Sequence, residues 1–203
     1  DTLTVEFWDG PLALACPDSE VPADGTNLVT RAALTLAAVL GRRADGVRLT
    51  LHKRIPTQAG LGGGSADAMA ALRLLAHVWQ APVDRALLVE MGSRLGSDVA
   101  FFAEGGTTIG TGRGEVLTPL ADLPPQLVVV ARPSFGVSTR DAYAWVAADR
   151  ASGVALAGRR AHPFWPSMTD EWATTLAGCW NDFEPVVCGR HPVLAAVIQA
   201  LRS

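Results

Sequence analysis

Pro56-Thr57-Gln58-Ala59-Gly60-Leu61-Gly62-Gly63-Gly64-Ser65-Ala66-Asp67-Ala68 is the stretch on which the reading of this chain turns. It follows an alternating segment, Val47-Arg48-Leu49-Thr50-Leu51-His52-Lys53, that reads as a half-buried strand. It leads into an Ala/Leu-rich segment that reads as a helix from Ser65 to about Trp79. Four of the five residues 60–64 are glycine. Glycines at a strand-to-helix junction permit positive φ and leave no Cβ to block a ligand. Their N–H groups can converge on phosphate oxygens, with the helix N-terminus adding positive potential. Ser65 could donate its hydroxyl to a phosphate or help to hold a magnesium ion. Asp67, expected in the first turn, suits the helix dipole but is awkward beside a phosphate unless a cation lies near. The bland alternative is a tight turn with no ligand. Such a turn needs only one or two glycines, and each further one costs order on folding.

Two other phosphate loops are excluded. A Walker A loop ends in Gly-Lys-Ser/Thr, and no Lys lies between Arg54 and Gly64 or directly after. The dinucleotide fingerprint, counted from Gly60, needs glycine where Ser65 stands.

The rest of the chain suits a small-molecule enzyme. Its 203 residues fit one large domain or two small ones. A hydrophobic content of 49% against 18% charged describes a globular chain. The net charge is −3 and no dense Lys/Arg cluster appears, which argues against nucleic acid or an anionic membrane as partner. Cys16, Cys179 and Cys188 are three in number and match no zinc spacing, and the four histidines are scattered. That usage reads as reduced thiols in a cytoplasmic protein, with no residue assigned as a metal ligand. No apolar run approaches a membrane span.

Along the chain, Leu3, Val5 and Phe7 alternate on one face of an opening strand, and Pro11 to Cys16 offers a second. A chain that opens inside a strand, with no initiator Met, reads as one that has lost its beginning. Residues 17–25 form a turn-rich loop. Thr26 can cap a helix over 27–40, with Asn27 as its first residue. A further helix covers 83–94. Short strands are expected around Phe101–Phe102, 107–111 and 115–117. Leu127 to Ala131 reads as a strand buried on both faces. A helix follows from Ser138 to about Ala148, then a Gly-, Arg- and Pro-rich linker over 151–170. Short helices around 169–176 and 192–201 finish the chain. The class is α+β with two lobes, residues 1–130 and 131–203.

Asp98 stands in Gly92-Ser93-Arg94-Leu95-Gly96-Ser97-Asp98-Val99-Ala100-Phe101-Phe102, between a Gly-Ser turn and an apolar stretch. That setting predicts a partly buried carboxylate, which needs a partner or a task. The alternative is an Asp that caps the turn at Gly96–Ser97. In Trp180-Asn181-Asp182-Phe183-Glu184, Asn181 reads as a helix cap and Glu184 as the partner that completes a capping box.

These stretches together resemble the GHMP kinases. Ile55-Pro56 and Ala59 to Ala68 are similar to the ATP-phosphate loop of that superfamily, whose generic form is Pro-x-x-x-Gly-Leu-Gly-Ser-Ser. The triple glycine resembles the diphosphocytidyl-methylerythritol kinase branch more closely than the homoserine or mevalonate-pathway branches. Asn181–Glu184, Val137-Ser138-Thr139-Arg140-Asp141-Ala142-Tyr143 and Asn27-Leu28-Val29-x-Arg31-Ala32 resemble that branch as well. The resemblance implies an ATP- and Mg²⁺-dependent kinase of a cytidine-diphosphate-linked alcohol in isoprenoid precursor synthesis. It implies a ribosomal-protein-S5-domain-2-like N-terminal lobe and a ferredoxin-like C-terminal lobe. Pro56, Thr57, Gln58, Ala59, Gly60, Leu61, Gly62, Gly63, Gly64, Ser65 and Ala66 would then hold the nucleotide. Asp98, in a segment similar to Leu-Gly-x-Asp-Val-Pro-Phe-Phe, would face the attacking hydroxyl, with Ala100 in place of the proline. Tyr143 would stack on cytosine, or else serve as an amphipathic core residue. Asn27 would lie near adenine, or else simply open its helix. The family's Ala-Lys-Ile-Asn-Leu strand, its Gly-Tyr-His and its closing Ser-Gly-Ser-Gly have no counterpart here. The expectation is a fold incomplete at both ends, without the family's catalytic lysine.

Overall fold

Alternation along Val47–His52 makes that strand the centre of a sheet. The computed structural model describes residues 1–17, 21–153 and 181–202. Strand β1 (Thr2–Phe7) is followed by β2 (Ala13–Ala15), and β3 (Val47–His52) lies between them in the order β1-β3-β2. β1 runs antiparallel to β3 and β2 runs parallel to it. Val47, Leu49 and Leu51 of β3 are all buried, while the residues between them point the other way. Leu3 pairs with Leu51 and Val5 with Leu49, so β1 turns its half-buried side to the same core. Phe7, expected to share that face, lies at the last pair of the ladder and is 74% exposed.

Helix α1 (Leu28–Val39) buries Val29, Ala32, Ala33, Leu36 and Ala37, the spacing of one helical stripe. Its cap is Asn27, whose Oδ1 accepts the Val29 N–H at 2.9 Å. Thr26, the expected cap, instead donates its N–H and hydroxyl to Asp24. Helix α2 (Gly63–Val78) lays Ala68, Met69, Ala71, Leu72, Leu75 and Ala76 against α1 and the sheet core. Helix α3 (Arg85–Leu95) opens at Asp84, whose carboxylate accepts the Leu87 N–H at 2.8 Å.

Phe101 and Phe102, expected in a strand, belong to helix α4 (Ser97–Glu104). Val99, Ala100 and Ala103 are its buried residues, a helical rather than alternating pattern that a short apolar run does not announce. The hairpin of β4 (Thr108–Thr111) and β5 (Val116–Pro119) completes a first unit, Asp1–Asp122.

The second unit, Leu123–Ser203, contains helix α5 (Thr139–Ala151), opened by Ser138, together with α6 (Phe183–Arg190) and α7 (Pro192–Arg202). Leu127 to Ala131 form no strand, contrary to the expectation of a doubly buried one. Leu127, Val128, Val129 and Val130 are 61–99% exposed. β-propensity cannot make a strand without a neighbouring ladder, and no strand among the described residues pairs with this run. The helix expected around 169–176, most of the 151–170 linker, Cys179, Trp180 and part of the 17–25 loop lie outside the described residues. Among the described residues no helix is long and apolar enough to cross a membrane.

Candidate active site

The chain leaves β3 at His52 and turns through residues 57–62 before α2 begins. Gln58, Gly60 and Gly62 have φ of 54°, 70° and 68°, so the loop is coiled through the left-handed region. Gly62 is the residue before the helix, and α2 starts at Gly63, two residues earlier than Ser65. No side chain caps this 16-residue helix. The N–H groups of Gly63, Gly64 and Ser65 find no acceptor among the described residues. Three donors in one turn, at the positive end of a helix dipole, form a cradle for an anion.

Glycine is required here by packing as well as by φ. A Cβ at Gly63 would lie 2.9 Å from Ile55 Cγ2, and one at Gly62 would lie 3.0 Å from Phe102 Cζ. Gly64 faces outward, with nothing nearer to its Cβ position than Leu28 Cδ1 at 3.9 Å. Pro56, Thr57, Ala59, Ser65 and Ala66 are half-buried, while Gln58, Gly60 and Leu61 are exposed.

The cation that Asp67 needs is present. Because α2 starts early, Asp67 falls in its second turn, where it is buried. Lys53 Nζ donates to Asp67 Oδ2 at 2.7 Å and to Asp1 Oδ2 at 2.6 Å, and the three side chains are each 6% exposed. Asp1 Oδ1 also accepts the N–H groups of Arg54 and Ile55 at 2.6 and 2.8 Å. The ammonium lies 3.3 Å from the Cβ position of Gly63. Sequence reasoning missed Lys53 and Asp1. The signal was the awkward acid at Asp67, facing a loop entered directly after a lysine.

Asp98 is the second residue of α4 and is exposed, where partial burial was expected. Val99, Ala100 and Ala103 turn to the core and leave Asp98 on the open side of the first turn. Its carboxylate caps nothing: the residue before the helix is Gly96, without a side-chain bond, and Asp98 has no partner among the described residues. Phe102, four residues on, touches the Gly62 position, so Asp98 lies one turn along the same stripe of α4. Arg73 of α2 donates to the carbonyls of Phe102 and Ala103 at 3.2 and 2.9 Å and ties the end of α4 to the loop's own helix.

Tyr143 belongs to the second unit, on α5, and is 63% exposed rather than part of a core. Its ring meets Phe183 edge-on, with centroids 4.9 Å apart. The stretches 137–143 and 181–184 are therefore brought together. Asn181 Oδ1 accepts the Phe183 N–H at 2.9 Å at the start of α6. Glu184 does not complete a capping box, because Arg202 of α7 takes its carboxylate through two bonds of 2.8 and 3.0 Å. Asn27 acts as the cap of α1, with its amide also donating to the Pro22 carbonyl.

Residues 27–106, which hold the glycine loop and Asp98, match the family described as GHMP kinases N terminal domain. A 4-diphosphocytidyl-2-C-methyl-D-erythritol kinase of Geobacillus thermodenitrificans (strain NG80-2) is 36% identical over 187 residues, which is 90% of this chain and 61% of that relative. The crystal structure of a 4-(cytidine 5'-diphospho)-2C-methyl-D-erythritol kinase is similar with a TM-score of 0.73 at 33% identity, over 98% of this chain and 68% of that one. The chain belongs to the 4-diphosphocytidyl-2-C-methyl-D-erythritol kinase family. Its architecture is the GHMP kinase fold, of class α+β. Homoserine kinase from Cytophaga hutchinsonii shares that fold at a TM-score of 0.55 and 20% identity, over 76% of this chain and 56% of that one. The chain spans between about half and two thirds of the length of the curated 4-diphosphocytidyl-2-C-methyl-D-erythritol kinases that it matches.

Proposed function

We propose that this chain carries the ATP-binding and phosphoryl-transfer residues of an ATP-dependent small-molecule kinase. The acceptor in this reading is the 2-hydroxyl of 4-diphosphocytidyl-2-C-methyl-D-erythritol. The observation that carries the proposal is the uncapped start of α2, where the free N–H groups of Gly63, Gly64 and Ser65 follow a left-handed glycine loop. Phosphoryl transfer asks the protein for positioning and charge stabilisation, and backbone donors held by a rigid helix supply both.

In this reading residues Pro56 to Ala66 hold the nucleotide. Asp98 accepts or orients the proton of the attacking hydroxyl while the new P–O bond forms and ADP leaves. Its exposure and its freedom from a capping role support that assignment. Magnesium carried with the nucleotide would neutralise phosphate charge. The Ser65 hydroxyl is the loop group suited to its coordination, because the Asp67 carboxylate is engaged by Lys53. The exposed ring of Tyr143 offers a face to the cytosine, with Phe183 buttressing its edge.

The finer architecture belongs to the same proposal: residues 1–130 as a ribosomal-protein-S5-domain-2-like, ATP-binding lobe, and 131–203 as a ferredoxin-like lobe. The division of contacts after Asp122 supports two lobes. A cytoplasmic enzyme without nucleic-acid or membrane partners suits the charge of −3 and the lack of a basic cluster.

The test is phosphoryl transfer from ATP to 4-diphosphocytidyl-2-C-methyl-D-erythritol, homoserine and mevalonate. It is measured on this chain and on a chimera in which a relative supplies the segments that this chain does not span. Turnover confined to the cytidine substrate is expected; preference for either other alcohol would overturn the substrate assignment.

A further inference from the structure

We propose that Lys53 is a positioning residue for the nucleotide phosphates, acting through a buried triad with Asp1 and Asp67. This inference rests on the reading of the glycine loop as the phosphate site. The triad grips the loop at both flanks. Asp1 takes the backbone N–H groups of Arg54 and Ile55, where the chain enters the loop, and Asp67 stands in the second turn of α2, where the chain leaves it. Lys53 joins the two carboxylates at 2.6 and 2.7 Å, its ammonium 3.3 Å from the Cβ position of Gly63, whose N–H is the first of the open donors.

Stability alone does not account for the arrangement. A buried ion pair gains little net free energy over an apolar pair of similar size, because desolvation offsets the attraction. Charge gives it a task. Asp67 is a buried anion one turn along α2 from donors that await another anion, and like charges repel. Lys53 offsets that repulsion through its bond to the Asp67 carboxylate, with its own side chain 6% exposed. The triad of two carboxylates and one ammonium carries a charge of −1. Lys53→Met takes it to −2, Asp67→Asn takes it to zero, and the double variant restores −1.

The series is read by titrating the β,γ-imido analogue of ATP, with magnesium, into each folded protein at low and high salt. Asp67→Asn keeps the shape of the side chain and an acceptor for Lys53, so it should fold. It is expected to bind the analogue at least threefold more tightly than wild type, with the gain shrinking at high salt. Lys53→Met is expected to bind at least tenfold more weakly. The double variant should return to within a few-fold of wild type. A purely structural triad would never tighten binding and would show no recovery in the double variant. Unchanged or weaker binding in Asp67→Asn overturns the proposal, whether or not Lys53→Met folds. A wild-type protein that does not bind the analogue would overturn the phosphate-site reading itself. Binding in wild type with affinities indifferent to charge would overturn only the role of Lys53.

Discussion

A side chain added at Gly64 would meet nothing closer than Leu28 Cδ1, 3.9 Å away, whereas one at Gly63 would run into Ile55 and one at Gly62 into Phe102. The three neighbouring glycines are therefore not equivalent as tests. Gly62→Val and Gly63→Val should lower Tm as well as affinity. Gly64→Val should leave Tm nearly unchanged, since the site is open and valine is a better helix residue than glycine. It should still lower affinity for an ATP analogue at least tenfold, because the new methyl groups crowd the open N–H donors; calorimetric titration with wild-type affinity would remove this loop from phosphate binding. At Asp98 the discriminating change is to Asn, which caps as well as Asp but accepts no proton. In an active chimera, Asp98→Asn should lower kcat by roughly 10²–10⁴ and leave ATP affinity within a few-fold. Full turnover in that variant would return Asp98 to an ordinary surface role. Tyr143→Ala should raise KM for the cytidine substrate, by about 1–3 kcal/mol of lost stacking, with KM for ATP unmoved. Tyr143→Phe keeps the ring and its edge contact with Phe183 and should be mild; equal damage to both KM values would indicate packing instead.

Helices α3 and α4 meet so closely at Gly92 that its hydrogen is the only substituent with room. A Cβ there would lie 2.9 Å from Ala100 Cα and 3.0 Å from Ala100 N, both backbone atoms that cannot swing aside. Gly92→Ala should cost about 1–3 kcal/mol by overpacking, despite the better helix propensity of alanine. Thermal unfolding should show a Tm lower by several degrees. An unchanged Tm would mean that the two helices separate without penalty. This crossing matters for the site, because α4 carries Asp98 at its start and rests Phe102 on the glycine loop. Elements with a long, regular stripe were legible: α1, α2, α5 and β3 lie close to where their periodicity puts them. Helix α4 was not, since the five-residue apolar run Val99–Ala103 leaves strand and helix patterns indistinguishable until α2 and α3 are packed on it.

At the scale of the molecule, the run Leu127–Val130 is the largest departure from expectation among the described residues, four consecutive apolar residues left 61–99% exposed. Such a run, β-prone and uncharged, invites association with other chains. Val129→Lys should raise the soluble concentration and reduce light scattering without moving Tm, because the native side chain is 87% exposed and contributes little burial; undiminished scattering would locate the association elsewhere. The same run shows where sequence reasoning stops. Local pattern alone determined the α+β class, the strand–glycine loop–helix junction and the kinase resemblance, because φ requirements and hydrophobic period act between residues close in the chain. Tertiary structure alone decided that Lys53 reaches across to Asp1 and Asp67, that Gly92 admits α4, and that Tyr143 meets Phe183. Those partners are 52, 14, 8 and 40 positions apart. Packing, not periodicity, brings them within reach, and a buried charge or a ladder edge acquires its meaning only from the neighbour it is given.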